Sequence, residues 1–144
     1  MRDEEDLPGG ERGFDAVVER YVEEVTRLAG GVVSGDDDWA MERLDELLHQ
    51  RRPREVWAIL GAAIGRIDDE RVLCQVGAGV LETLIEIHGP ALIADVEAAI
   101  ATDARFRMAV CCIWIRDTPI RDRIAAGLEA AGVGVQDPDR PDQQ

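Results

Sequence analysis

Apolar side chains recur at intervals of three and four residues along most of the chain, the spacing that places them on one face of an α-helix. Phe14, Val17, Val18, Tyr21, Val22, Val25 and Leu28 trace the first stripe and predict a helix from about Phe14 to Ala29. Glu19, Glu23 and Glu24 fall towards its other side, and Gly30-Gly31 stops it. A second helix is expected behind Asp36-Asp37-Asp38, because acids suit a helix N-terminus by capping its free amides and by favouring its dipole. It carries Trp39, Leu44, Leu47 and Leu48 and ends near Arg51-Arg52. Pro53 opens a third, where its missing N–H does no harm, with Val56, Trp57, Leu60, Ala63, Ile64 and Ile67 facing inward.

Asp68-Asp69 cap a short fourth helix with Val72, Leu73 and Val76, and Gly77-Ala78-Gly79 breaks the chain after it. The fifth places Leu81, Leu84, Ile85 and His88 on one face, and Gly89-Pro90 closes it and starts the sixth, with Ile93, Val96 and Ile100. Thr102 or Asp103 caps a seventh with Phe106, Ala109, Val110, Ile113 and Trp114 on one side. The stretch Val110 to Ile115 has strand-like propensity, but the helical period around it favours helix. Pro119 starts the eighth, with Ile120, Ile124 and Leu128. No segment alternates for long, and no Asn-Gly or Asp-Gly hairpin signal occurs.

The expectation is an all-α chain: one domain over 13–131 of about eight short helices in antiparallel hairpins, with flexible tails at 1–12 (acidic) and 132–144. The hairpin spacing also admits a short α-solenoid-like array. A length of 144 residues suffices for a packed core without a metal or disulfide staple. Aromatic residues are few, so Leu, Ile, Val and Ala must fill that core. Cys74, Cys111 and Cys112 lie in apolar stretches without CxxC spacing and are expected as reduced, buried thiols of a cytoplasmic protein.

Charge changes the picture at one end. The net charge is −14, and every cation is an arginine. Residues 1–50 hold fifteen acids against five arginines, while the rest holds fifteen against eleven. Such a surface repels nucleic-acid phosphates and anionic lipid heads and attracts basic proteins. No signal peptide follows Met1-Arg2, and the longest apolar run, Met108 to Ile115, is too short to span a bilayer.

Candidate chemistry is sparse. Glu46 and His49 have the Glu-x-x-His spacing of helical metal sites, but a second copy of the motif is missing, since His88 follows Ile85. Asp36-Asp37-Asp38 lacks the spaced ligands and glycine of a calcium loop. His88, on an apolar face at a helix end, reads as structural. Ser34 is no nucleophile elbow, and buried cysteines are poor nucleophiles. No catalytic residue, metal or cofactor is therefore expected. Glu82 and Glu86 are like charges four apart, which suggests a nearby cation; an ion pair from Glu82 to Arg105 or Arg107 is the expected one.

Trp57, the run Gly79-Val80-Leu81-Glu82-Thr83-Leu84-Ile85, His88-Gly89, Asp103-Ala104-Arg105-Phe106-Arg107 and Trp114 together resemble an uncharacterised bacterial domain family of small helical proteins, over about residues 53–116. Family members usually have proline where Val80 and Ala104 stand. The resemblance implies no established activity. It implies an all-helical domain in which Trp57, Glu82, His88, Arg105, Phe106 and Trp114 are framework or shared-surface residues.

The leading expectation is an acidic protein-binding module, in its narrower form a bacterial immunity or antidote protein, holding a basic partner through Asp37, Asp38, Glu42, Asp45 and Glu46. The alternatives are a helical scaffold or oligomer subunit, marked by an exposed patch at Trp39 or Trp57, and a metal-dependent enzyme using Glu46, His49 and His88. Oligomeric state is left open.

Overall fold

The computed structural model describes residues 13–32 and 38–132. The expected tails lie outside these residues apart from Gly132, as do Asp36 and Asp37. The described chain is all-α: α1 (Phe14–Ala29), α2 (Trp39–His49), α3 (Pro53–Ile64), α4 (Glu70–Val76), a π-helical turn (Gly77–Leu81), α5 (Glu82–Thr102), α6 (Ala104–Val110) and α7 (Thr118–Ala130).

Local chemistry explains most of these boundaries. Gly31 at φ 84° takes the left-handed turn that ends α1, a conformation side chains other than glycine rarely adopt. Pro53 stands at the start of α3, where a helix amide has no partner to lose. Asp69, Asp103 and Asp117 cap α4, α6 and α7, accepting the amides of Arg71 at 2.8 Å, Arg105 at 2.9 Å and Ile120 at 3.1 Å.

Two expected breaks are not breaks. Gly77-Ala78-Gly79 forms the π-helical turn that leads from α4 into α5, with only Gly79 leaving helical angles. Gly89-Pro90 lies inside α5, and the departure falls on His88 at φ −122°, ψ 18°. A proline removes one helical hydrogen bond and crowds the preceding turn, which bends a helix without ending it when neighbours hold both halves. The eight expected helices are therefore seven and a π-helical turn among the described residues. The run Glu70–Thr102 is long and apolar enough by composition to cross a membrane. Here its Val76, Leu81, Leu84, Ile85, Leu92, Val96 and Ile100 are buried in the core.

α3 sits at the centre, packed on α1, α2, α4, α5 and α6. α1 also packs on α2 and α4, and α5 lies chiefly against α7. A solenoid repeat touches only its neighbours, so contacts such as α1 with α4 and α3 with α6 describe a closed cluster instead. At the crossing of the π-helical turn and α6 the backbones nearly touch. A Cβ on Gly77 would meet the Ala109 carbonyl oxygen at 1.9 Å, so only glycine fits there.

That same α4–α6 contact overturns the expected cysteine state. It brings the Cα atoms of Cys74 and Cys112 within 5.3 Å, inside disulfide range, and the two are bonded, which leaves Cys111 as the free thiol.

Candidate functional site

Glutamates on two helices carry the hydrogen bonds that position the molecule's surfaces. Glu24, expected on the outer side of α1, is the buried one. Its carboxylate accepts the backbone amides of Ala40 at 3.0 Å and Met41 at 2.8 Å, and the Arg20 Nε–H at 2.9 Å. The two amides are free donors at the start of α2, so α1 caps α2 from outside. Asp38, in the capping position, makes no capping hydrogen bond. Capping by the aspartate run is thus corrected at Asp38: a carboxylate brought by packing takes its place. Tyr21, one turn before Glu24, is buried too, and desolvation first and the Glu24 charge second push its hydroxyl well above the ordinary value of 10.

Capping in this way fixes the direction of α2 and hence its outer face. Glu42, Asp45 and Glu46 are exposed along that face, beside His49. Arg43 lies 3.4 Å from Glu46, and the His49 Nδ1 is 2.8 Å from the Asp45 carbonyl oxygen and 3.6 Å from its carboxylate. Glu42 has no ion pair among the described residues. Asp38 is largely covered and lies 3.8 Å from Arg27, so it is partly neutralised and set back from this strip. Asp37 lies outside the described residues. The structure therefore gathers three of the five expected contact acids.

A second surface forms where the sequence pattern misleads. α6 ends at Val110, and residues 113–117 have no regular secondary structure. Glu82 accepts the Trp114 amide at 2.6 Å, and Glu86 accepts the Arg116 amide at 2.7 Å. Two carboxylates one helical turn apart on α5 thus hold alternate amides of this irregular strap, giving the backbone a substitute for helical bonds. The expected ion pair from Glu82 to Arg105 or Arg107 does not form. Arg105 pairs with Asp68 at 2.5 Å, and Arg107 donates to the Ile100 carbonyl oxygen at 2.7 Å.

Trp114, expected on the apolar face of a seventh helix, is 55% exposed, with the Arg121 guanidinium carbon 5.4 Å from its ring centre. Beneath them lies an apolar pocket of about 80 Å³ between the end of α6, the strap and α7. Cys111 lines it, and burial pushes that thiol's pKa up, away from the reactive thiolate. Neither Trp114 nor the pocket was legible as such; the strand-like propensity of Val110 to Ile115 was the signal that the helix would stop.

The remaining motif residues are framework. Trp57 meets Phe106 edge-on, with ring centres 5.4 Å apart, joining α3 to α6. His88 is half-buried at the α5 kink, its Nε2 3.5 Å from the Leu48 carbonyl oxygen. Trp39 and Trp57 are partly buried against the core, so the exposed tryptophan that would mark a scaffold is Trp114 instead. Glu46, His49 and His88 are not assembled: among the described residues no group of three or more His, Cys, Asp or Glu is placed to hold a metal ion.

Comparison with known proteins gives one finding. A family model described as "Family of unknown function (DUF6869)" matches residues 33–131, and the chain belongs to that family. No curated protein and no solved structure matches it. The match extends the region of resemblance at both ends, so that α2 and α7 fall within the family while α1 lies outside.

Proposed function

We propose that the chain is a protein-binding module that takes a basic partner on the outer face of α2. The observation that carries this reading is the exposed strip of Glu42, Asp45 and Glu46 on a helix held in place by a buried carboxylate. A rigid helix presents these charges without a further ordering cost, and charge complementarity speeds encounter with a cationic surface. Asp45 and its His49 partner are both exposed, and Glu46 is exposed opposite a largely covered Arg43; pairs with a solvated carboxylate are weak, and a partner's guanidinium can displace them. The antidote form of the reading assigns the same face to a cationic toxin.

The test separates this face from the general acidity of the chain. A deca-arginine peptide is titrated into the protein and followed by amide chemical shifts. Shifts concentrated on α2 are expected, lost in the Glu42→Gln/Asp45→Asn/Glu46→Gln protein. They should persist in a Glu19→Gln/Asp122→Asn/Glu129→Gln protein of equal charge. Equal loss in both, or shifts spread over the whole surface, would sink the proposal.

A further inference from the structure

Most arginines of the described chain lie within 4 Å of a carboxylate, as Arg54 does to Asp95, Arg105 to Asp68 and Arg123 to Glu97. Among the described residues Arg51, Arg107, Arg116 and Arg121 do not, and of these four Arg121 lines a pocket. It is half-buried, its guanidinium has no carboxylate or carbonyl partner among the described residues, and its central carbon lies over the Trp114 ring. Asp117, four residues earlier at the cap of α7, accepts the Ile120 amide. In a chain with thirty acids, a sheltered guanidinium without an anion is an unmet charge. A guanidinium engaged through its face by an aromatic ring keeps its in-plane N–H donors free. Arg121 lines a mainly apolar pocket together with the buried Ile115, Ile124 and Leu128.

From this pairing of one free cation with one apolar pocket we propose that the α6–strap–α7 pocket binds a small alkyl carboxylate, its tail inside and its carboxylate on Arg121. This site lies apart from the α2 face and does not depend on the reading given to that face. Size sets the ligand class: the pocket, about 80 Å³, is roughly half the volume of an apolar cavity that holds benzene. It takes a short alkyl tail and leaves no room for a long-chain fatty acid. The Glu82 bond to the Trp114 amide fixes the strap, so the rim is in place before the ligand arrives.

Cys111 supplies the readout, since it lines the pocket and is the free cysteine of the chain. The intact oxidised protein is treated with iodoacetamide, and the Cys111 alkylation rate is followed by mass spectrometry during titration with butyrate, butanol or butylammonium. Butyrate should protect Cys111 saturably, with a Kd of about 1 mM, as expected for so small a ligand. Butanol should need about 10-fold more, and butylammonium should not protect. Arg121→Gln should weaken butyrate about 10-fold while leaving butanol unchanged, and Arg121→Lys should recover part of the loss. Equal protection by butyrate and butanol on the wild-type protein would overturn the proposal. So would absence of saturable protection, or butyrate binding that is indifferent to Arg121→Gln.

Discussion

At the joint between α1 and α2, one carboxylate whose side chain is wholly buried accepts two backbone amides and an arginine. Along α5, two carboxylates at the surface accept one amide each from the 113–117 strap. The bonds are of one kind and of similar length, yet their surroundings give them different weight. Water competes for the amides of the strap, and a freed strap amide can be hydrated. Glu24 is buried, and a donor left there without its acceptor bears the desolvation penalty. The first joint is therefore a lock and the second a latch, reinforced by the Cys74–Cys112 disulfide one residue before the strap begins.

The largest expected effect is on the latch side and comes from covalent chemistry rather than from the glutamates. Cys74 and Cys112 are 38 residues apart, and closing a loop of that length constrains the unfolded chain by roughly 4 kcal/mol. Reduction by dithiothreitol should lower the unfolding free energy in urea by about that amount, and Cys74→Ser should reproduce it. Loss under about 1 kcal/mol in both would mean that packing alone holds α4 to α6.

Next comes the lock. Glu24→Gln removes the charge and leaves at least one α2 amide facing an amide group, at an expected cost of about 2 kcal/mol. Denaturant midpoints measure it, and amide exchange at Ala40 and Met41 should accelerate in the same variant. The latch glutamates should each contribute less: Glu82→Gln and Glu86→Gln about 1 kcal/mol or below. Exchange should quicken at Trp114 and Arg116 with the rest of the fold unaltered. A Glu82→Gln loss as large as that of Glu24→Gln would remove the distinction between lock and latch.

The smallest and most gradual effect is alkaline. Tyr21 titrates higher in the fold than its ordinary value of 10, because burial and the nearby Glu24 charge both disfavour the phenolate. Above that value the unfolded chain has already released the proton, binds fewer protons than the fold, and is favoured. Stability contributed here should be level below about pH 10 and fall with rising pH beyond it. Ultraviolet titration should show tyrosinate appearing together with unfolding, and not before it.

Helix α1 was readable to its ends, because a long amphipathic stripe and a glycine pair are local signals. The caps at Asp69 and Asp103 and the proline starts at α3 and α7 are local in the same sense. Of the candidate site, the exposure of Glu42, Asp45 and Glu46 followed from the pattern of Leu44, Leu47 and Leu48 on the opposite face. Helical period also suggested that Glu24 faced outward and Trp114 inward, and both assignments reversed. In each case a group from a distant segment offered a bond that the local period cannot encode: the α2 amides to Glu24, and Glu82 to the strap.

By itself, then, the order of apolar and polar residues determined the class of structure, the placement of most helix ends and the acidic character of the α2 face, since these depend on neighbours within a turn or two. Only the tertiary structure decided the burial of Glu24, the Cys74–Cys112 bond, the bend at His88 and the pocket beneath Trp114 and Arg121. Each of these arises between residues well separated in sequence or from packing against them, where proximity is a product of folding and leaves no periodic trace in the chain.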